Sequence, residues 1–521
     1  MYYISLLLIL GVFAFSKTFH LAIFGDEWQV LWIVKNSVAT TGQWDLNINQ
    51  TIGLGYKMGA LLMYLLTEYF GYDGKAVYIF SFITRFLAAL TLFYFLRKRE
   101  CSDKAAFLGS LLFLITPIGL QATDWVKNFT SYISIIFFLL CINSIYTLKS
   151  WKNVLFFFIS FSASIYINPI RAPGIILITT SLLIFQYILN KNVYRKAIIF
   201  SLFCSLAVGF IVLKMNSFSG FTLVQQPIEK LFGSIGAALI PQPSNYYLCL
   251  LTATLLLWKR YMLSKRYLLL ALAIHIPVII IFFNSLRIST DIKFAAVGVY
   301  FTIFMISTFI IELINRRASE ALKISFAYML VAFFLIAPLL AGTLIIDPAH
   351  RYLIYSALSL PMIVAFSLKE KSFSFYIAIL LLVMFYLSLK SEINKMYIGH
   401  NQDTAKIIWQ QITPYFDNYD FKNHRALVFI DTNNGAIVHD TVTFGFGYHM
   451  GYIYKIWVPD INESYNRLPV VVDSLTDFTS LITDGKVAKK YLGKDADFVF
   501  PKAESFYFKI DGLTVSRIKD Y

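Results

Sequence analysis

The sequence predicts an all-α polytopic membrane protein of about 13 transmembrane helices, followed by a C-terminal α/β domain outside the cytoplasm. Two observations predict the membrane part. Apolar runs near 20 residues recur throughout positions 1–390, the length a helix needs to cross a hydrocarbon slab of about 30 Å. Charged residues make up only 14% of the chain and hydrophobic ones 58%, where a soluble domain carries roughly a quarter charged. The third observation is a change of character after residue 390, where short strand-like runs and amphipathic stretches replace the long apolar ones. This pattern excludes a soluble enzyme, a disordered chain and a secreted disulfide scaffold. Cys101, Cys141, Cys204 and Cys249 all lie in or beside apolar runs, so they carry no information about compartment.

In chain order the spans are expected near 2–24, 76–96, 105–121, 131–148, 153–168, 173–189, 197–213, 246–258, 267–284, 294–314, 324–346, 352–368 and 372–390. The first lacks a basic start and runs into Phe24-Gly25-Asp26-Glu27 instead of a small-residue cleavage site, so it is expected to be retained. Stretches at 58–70 and 221–240 read as partial or interfacial helices.

Charge orients the spans. The net charge of +15 is concentrated in 1–390, with 31 Lys/Arg against 14 Asp/Glu, whereas 391–521 holds 14 against 16. With a cytoplasmic N-terminus, the inside loops carry 18 Lys/Arg in 39 residues and the outside loops 9 in 94. That asymmetry follows the positive-inside rule, so the excess charge belongs to topology and not to nucleic-acid binding. An odd number of spans then places 391–521 outside. There "RALVFID" (425–431), "LPVVVDS" (468–474) and "SFYFKIDGLTVSRI" (505–518) read as strands. Residues 404–416 and 473–492 show helical spacing, with Asp473 or Ser474 as N-cap. The expected domains are therefore 1–390 and 391–521.

Polar residues concentrate in the outside loops. Asp26 and Glu27 follow the first span directly, and two adjacent carboxylates at a membrane surface are costly to desolvate. They also suit a plain N-cap of the interfacial helix "WQVLWIVKNSVA". Asp124 in the second outside loop is either a solvated loop acid or the partner of that pair in general-base chemistry. Its neighbour Trp125 suits a sugar ring and equally an interfacial belt. Lys57, Arg171 and Arg351 sit at outside ends of apolar runs, where the positive-inside rule does not favour cations, and phosphate is the usual match for such groups. Lys57 alone reads as a snorkelling anchor. His350 and Tyr352 flank Arg351 in "DPAHRYLIY", and Arg85, inside the second span, reads as structural. The sequence holds no P-loop, no zinc-spaced His/Cys cluster, no HExxH and no dinucleotide fingerprint, so an enzyme of this kind needs a donor that arrives activated.

A first span running into an acidic dipeptide, a Lys before "GALLMYLL", an Asp in the second outside loop and "HRYLIY" (350–355) together resemble the GT-C superfamily of membrane glycosyltransferases. The chain is most similar to the branch of protein O-mannosyltransferases and lipid A aminoarabinose transferases. The resemblance covers the first four spans and the late span; the middle is matched by hydropathy alone. It implies a polyprenyl-phosphate-linked sugar as donor and an inverting transfer to a glycan, lipid or protein acceptor on the outer face. By the same resemblance Asp26 is the catalytic base, with Glu27 as its acidic neighbour and Asp124 as the second-loop acid. Lys57 contacts the donor phosphate, although the proline that follows it in the family is Met58 here. Arg351 is a phosphate or sugar ligand. Tyr352 completes the family's Arg-Tyr pair, while Trp125, Arg171 and His350 are candidate substrate contacts on their own chemistry, with no family counterpart for Arg171. The leaving phosphate delocalises its charge, so no cofactor is required, with Mg²⁺ or Mn²⁺ on Asp26-Glu27 as an open option. The loop 214–245 is a candidate lid. Composition favours a bacterial inner membrane. A transporter or flippase, a polysaccharide ligase or polymerase, and a scaffold are the rival readings.

Overall fold

The computed structural model describes residues 2–24, 54–71, 74–148, 150–189, 195–215, 224–241, 289–315, 317–368 and 373–400, isolated positions in 27–34 and 402–411, and strands within 427–518. The helices are α1 (Tyr2–Phe15), α2 (Leu54–Phe70), α3 (Lys75–Lys98), α4 (Asp103–Ile115), the short α5 (Gln121–Asp124), α6 (Thr130–Ile145), α7 (Trp151–Ile167), α8 (Ala172–Leu189), α9 (Arg195–Met215), α10 (Pro227–Ala237), α11 (Thr290–Ile314), α12 (Ala318–Leu340), α13 (Ser359–Ser367) and α14 (Phe373–His400). Most expected spans therefore meet a helix, while 246–258 and 267–284 lie outside the described residues. Among the described residues, Lys75–Lys98, Pro169–Ile188, Thr290–Ile314 and Ser319–Leu340 are long and apolar enough to cross a membrane. Their neighbours turn large apolar groups outward: Phe203 and Phe210 on α9 are 70% and 69% exposed, costly in water and free of cost in lipid.

Several boundaries differ from expectation for physical reasons. The first helix stops at Phe15, where Ser16-Lys17-Thr18 interrupts the apolar run, and a 3-10 turn at Thr18–His20 leads into extended backbone at Leu21. Helix α4 stops at Ile115, because Pro117 biases Thr116 to the extended conformation it adopts. Residues 351–358 form 3-10 turns before α13 begins, and α14 runs on past 390 to His400.

The chain divides into two compact units. One comprises Met1–Phe15, Thr51–Gly59 and Ser81–Glu392; the other comprises Ser16–Gln50, Ala60–Phe80 and Ile393–Tyr521. The first unit holds most of the apolar helices. The second holds a four-stranded sheet in the order β2-β1-β5-β6, with β1 at Leu427–Asp431, β2 at Val470–Val472, β5 at Phe506–Asp511 and β6 at Thr514–Ile518. Strand β1 runs parallel to both neighbours, with Phe429 opposite Val471 and Phe508, and β5–β6 is an antiparallel hairpin. All three expected strand regions are thus strands. The expected helix at 473–492 is broken, because β3 (Lys486–Val487) pairs with β4 (Phe498–Val499) just after Gly485, a poor helix former. Residues 473–485 and 488–492 lie outside the described residues.

Candidate active site

The site is built where α4 ends. Pro117 cannot continue the helix, so the last carbonyls of α4 are left without intrahelical donors. Arg85, fully buried on α3, supplies them. Its Nε donates to Leu114 O at 2.9 Å and its Nη2 to Thr116 O and, at 3.5 Å, to Phe113 O. Its Nη1 donates to Thr123 Oγ1 at 2.8 Å and to Tyr132 OH at 3.1 Å. The ring of Phe15 lies 4.8 Å from the guanidinium carbon. Ser81 Oγ donates to Thr123 O at 2.9 Å, so α3 grips the residue just before Asp124 from two positions.

Asp124 is itself buried, 1% exposed, and among the described residues its Oδ1 accepts no hydrogen bond. Burial pushes its carboxyl from 3.8 up to about 7; Arg85 pulls it part of the way back and Glu392 adds to the rise. A carboxyl poised near neutrality suits proton transfer.

The loop that carries Asp124 is stitched to the late loop at 347–351. Gly119 N donates to Pro348 O at 2.7 Å and Gln121 N to Ala349 O at 3.0 Å. Gly119 adopts φ +70°, and a Cβ there would meet Ile354 Cα at 2.6 Å, so glycine is the residue that lets the two segments touch. Gln121 bridges both: its Oε1 accepts from Arg351 N at 3.4 Å, and its Nε2 lies 3.5 Å from Asp347 Oδ2. Within the late loop, Asp347 Oδ1 accepts from Ala349 N at 3.0 Å, and His350 Nδ1 accepts from Tyr352 N at 3.3 Å.

Arg351 stacks over Trp125 at 4.5 Å, and Arg171 over Tyr352 at 4.6 Å. Arg171 Nη2 donates to Arg351 O at 3.4 Å, which brings the two cations together. Nε and Nη1 of Arg351 are buried and have no hydrogen-bond partner among the described residues. Burial pushes the imidazole of His350 down to about 4, with the charges of Arg351 and Arg171 adding to the fall, so His350 is neutral at physiological pH. Asn128, Ser131, Asn168, Arg171, Arg351 and Tyr352 line a cavity of about 10 Å³, room for roughly one water molecule. Asn168 Nδ2 donates to Ser131 Oγ at 3.0 Å beside it.

The structure thus gathers Asp124, Trp125, Arg171, His350, Arg351 and Tyr352 within one unit. Lys57 lies in the same unit, in the first turn of α2, and its side chain is outside the described residues. Glu27 belongs to the second unit and is helical and buried, while Asp26 lies outside the described residues. Among the described residues no group of three or more His, Cys, Asp or Glu is placed to hold a metal ion. Sequence reasoning missed Gln121, Asn128 and Asn168, whose only signal was polarity beside apolar runs.

No family profile matches the sequence, and no curated protein does. Among solved structures the chain is similar to the archaeal oligosaccharyltransferase AglB from Archaeoglobus fulgidus, in complex with an inhibitory peptide and a dolichol-phosphate. That alignment has 13% identity and a TM-score of 0.44, and covers 87% of this chain and 63% of that one. The chain therefore spans 63% of the AglB length. It is also similar to ArnT from Cupriavidus metallidurans in the apo state, at 13% identity and a TM-score of 0.38, over 97% of this chain and 92% of that one.

Proposed function

We propose that this chain is a membrane glycosyltransferase of the GT-C superfamily that moves one sugar from a polyprenyl-phosphate donor to a glycan, lipid or protein acceptor, with inversion. Residues 1–390 form the transferase domain in a bacterial inner membrane, with the N-terminus cytoplasmic. Residues 391–521 form the extracytoplasmic α/β domain. Asp26 takes the proton of the acceptor hydroxyl, and Glu27 shares its acidic site. The acceptor oxygen attacks the anomeric carbon from the face opposite the phosphate. The bond from that carbon to the phosphate oxygen breaks, and polyprenyl phosphate leaves with the electron pair. Lys57 and Arg351 meet the charge growing on that oxygen, as preorganised cations do in charge-developing transition states. Trp125 and Tyr352 offer faces to the sugar ring, and Asp124, poised near neutrality, exchanges a proton at its edge.

One observation carries this reading: Arg351, the last residue of the late loop and stacked on Trp125, keeps two buried nitrogens without hydrogen-bond partners among the described residues. Buried donors without partners cost free energy, and an anionic oxygen removes that cost. The test uses full-length protein in detergent with a panel of radiolabelled polyprenyl-phosphate sugars, comparing wild type with Asp26→Asn. Label transfer or release of polyprenyl phosphate that disappears in Asp26→Asn, with donor binding kept, is the expected result. Unchanged turnover moves the base to Asp124, and absence of donor binding across the panel returns the chain to the transporter reading.

A further inference from the structure

The segment leading into the acidic dipeptide is held in a way the proposed mechanism does not use. Residues 21–24 leave the helical conformation, and extended backbone inside an apolar protein must find hydrogen-bond partners elsewhere. It finds them on the far end of the chain. Ala22 N donates to His400 O at 2.7 Å, and Gln402 Nε2 donates to Leu21 O at 2.9 Å and to Phe19 O at 3.4 Å. The ring of Phe24 stacks on that of His400, with centroids 4.1 Å apart and planes 11° from parallel. From the other side Tyr78 OH donates to Ala22 O at 3.0 Å. Gly74 lets the backbone close in, since a Cβ there would lie 2.9 Å from Leu21 O and 3.1 Å from Ile23 N. Leu21, Ala22, Ile23 and Phe24 are all buried as a result.

The chain beyond Gln402 meets the sheet at a second point. Gln411, a few residues on, donates through Nε2 to Leu513 O at 2.8 Å and accepts from Val515 N at 2.9 Å. Leu513 lies in the turn of the β5–β6 hairpin and Val515 on β6 just past it, so one stretch touches residues 19–24, the strap, at one end and the sheet at the other. All of these residues belong to the same unit.

We propose that His400 and Gln402 are positioning residues for the first-loop acids: they fix residues 19–24, and so the point at which the chain enters Asp26-Glu27. The inference rests on the reading of those acids as catalytic, which makes the C-terminal region a participant in catalysis through the strap. The strap is fixed by several weak contacts at once, so removing one loosens it without unfolding the helices. Small displacements of a catalytic group lower the rate of the chemical step more than they weaken substrate binding.

The experiment measures hydrogen exchange of residues 19–27 in the full-length detergent-purified protein, together with transfer kinetics, for wild type, His400→Ala, His400→Phe and Gln402→Ala. His400→Ala and Gln402→Ala are expected to raise exchange in the strap about tenfold each, the size of one or two lost hydrogen bonds or contacts. His400→Phe is expected to restore protection, because it keeps the stack on Phe24 while losing the imidazole. In the same alanine variants kcat is expected to fall about tenfold or more, with KM for donor within about twofold. Unchanged exchange in both alanine variants overturns the proposal, as does raised exchange with an unchanged kcat. Failure of His400→Phe to restore protection overturns the role of the stack. A wild-type protein that transfers no sugar removes the proposed activity, while the exchange measurement still decides whether the strap is fixed by His400 and Gln402.

Discussion

Arg85 and Arg351 belong to the same unit, yet they are opposite in what surrounds them. Arg85 spends all three nitrogens on carbonyl and hydroxyl oxygens at the end of α4 and beside Asp124. Among the described residues, Arg351 keeps Nε and Nη1 buried without hydrogen-bond partners, its guanidinium lying over the faces of Trp125 and Tyr352. A guanidinium with every donor satisfied is architecture, because no ligand can improve on what it has. One that is buried with donors to spare is built for a partner that comes and goes. The contrast teaches that burial of a charge alone does not mark a site; the unspent hydrogen bonds do.

The strongest way to test the contrast is to remove the saturated member. Arg85→Met leaves the carbonyls of Phe113, Leu114 and Thr116 and two hydroxyls short of a donor in an apolar interior. At 1–3 kcal/mol for each unsatisfied group, less what relaxation and water recover, the loss of stability should be roughly 5 kcal/mol. Thermal unfolding in detergent reads it, and a variant as stable as wild type would mean that Arg85 is not structural.

The next effect is on pH dependence. The folded-state carboxyl of Asp124 titrates at about 7 and the unfolded one at 3.8. The folded protein thus holds a proton that the unfolded chain releases from about pH 4 upward. Stability from this group is therefore fully present below that range and falls as pH rises toward 7, by up to about 4 kcal/mol. Asp124→Asn should flatten this fall, raising the unfolding temperature at pH 8 and leaving it unchanged at pH 4. A parallel shift at both pH values would put the Asp124 titration elsewhere.

Removing the unsaturated cation should do the reverse of Arg85→Met. Arg351→Ala is expected to leave the unfolding temperature near wild type and to lower kcat/KM about 100-fold, near 2.7 kcal/mol of lost transition-state stabilisation. A variant that loses stability in place of activity would erase the distinction between the two arginines.

How much of this was legible beforehand follows from what each signal depends on. Span positions depend on hydrophobicity over about 20 residues, which survives any detail of packing, so helices such as Thr290–Ile314 fell where the runs lie. The end of the first helix depended on a short polar interruption at Ser16–Thr18, too brief for a window of that width. The strands from Leu427 and Phe506 were legible from alternation, whereas the helical spacing across Gly485 was overridden by a strand pair with Phe498–Val499. At the site, Asp124 and Arg351 stood out because charge at a span end is rare. Their juxtaposition with Arg171 and Gln121 is tertiary, set by two backbone hydrogen bonds between loops more than 200 positions apart. The strap contacts of His400 and Gln402 gave no signal, since neither residue belongs to a motif.

The smallest effect is the most discriminating about the field that Arg351 creates. His350 is held down to about 4 by burial and by the two arginines, so it carries no charge between pH 5 and 8. His350→Gln should lower kcat/KM only a few-fold, about 1 kcal/mol for the lost bond to Tyr352 N, and leave the shape of the pH-rate profile unchanged. In Arg351→Ala one of the two repelling charges is gone, and the imidazole should move up toward its ordinary 6.5. The residual activity of that variant should then show an additional acid limb, and His350→Gln in the same background should abolish it. A profile that keeps one limb in both backgrounds would mean that burial alone sets the imidazole, and that the charge of Arg351 is already neutralised by a partner.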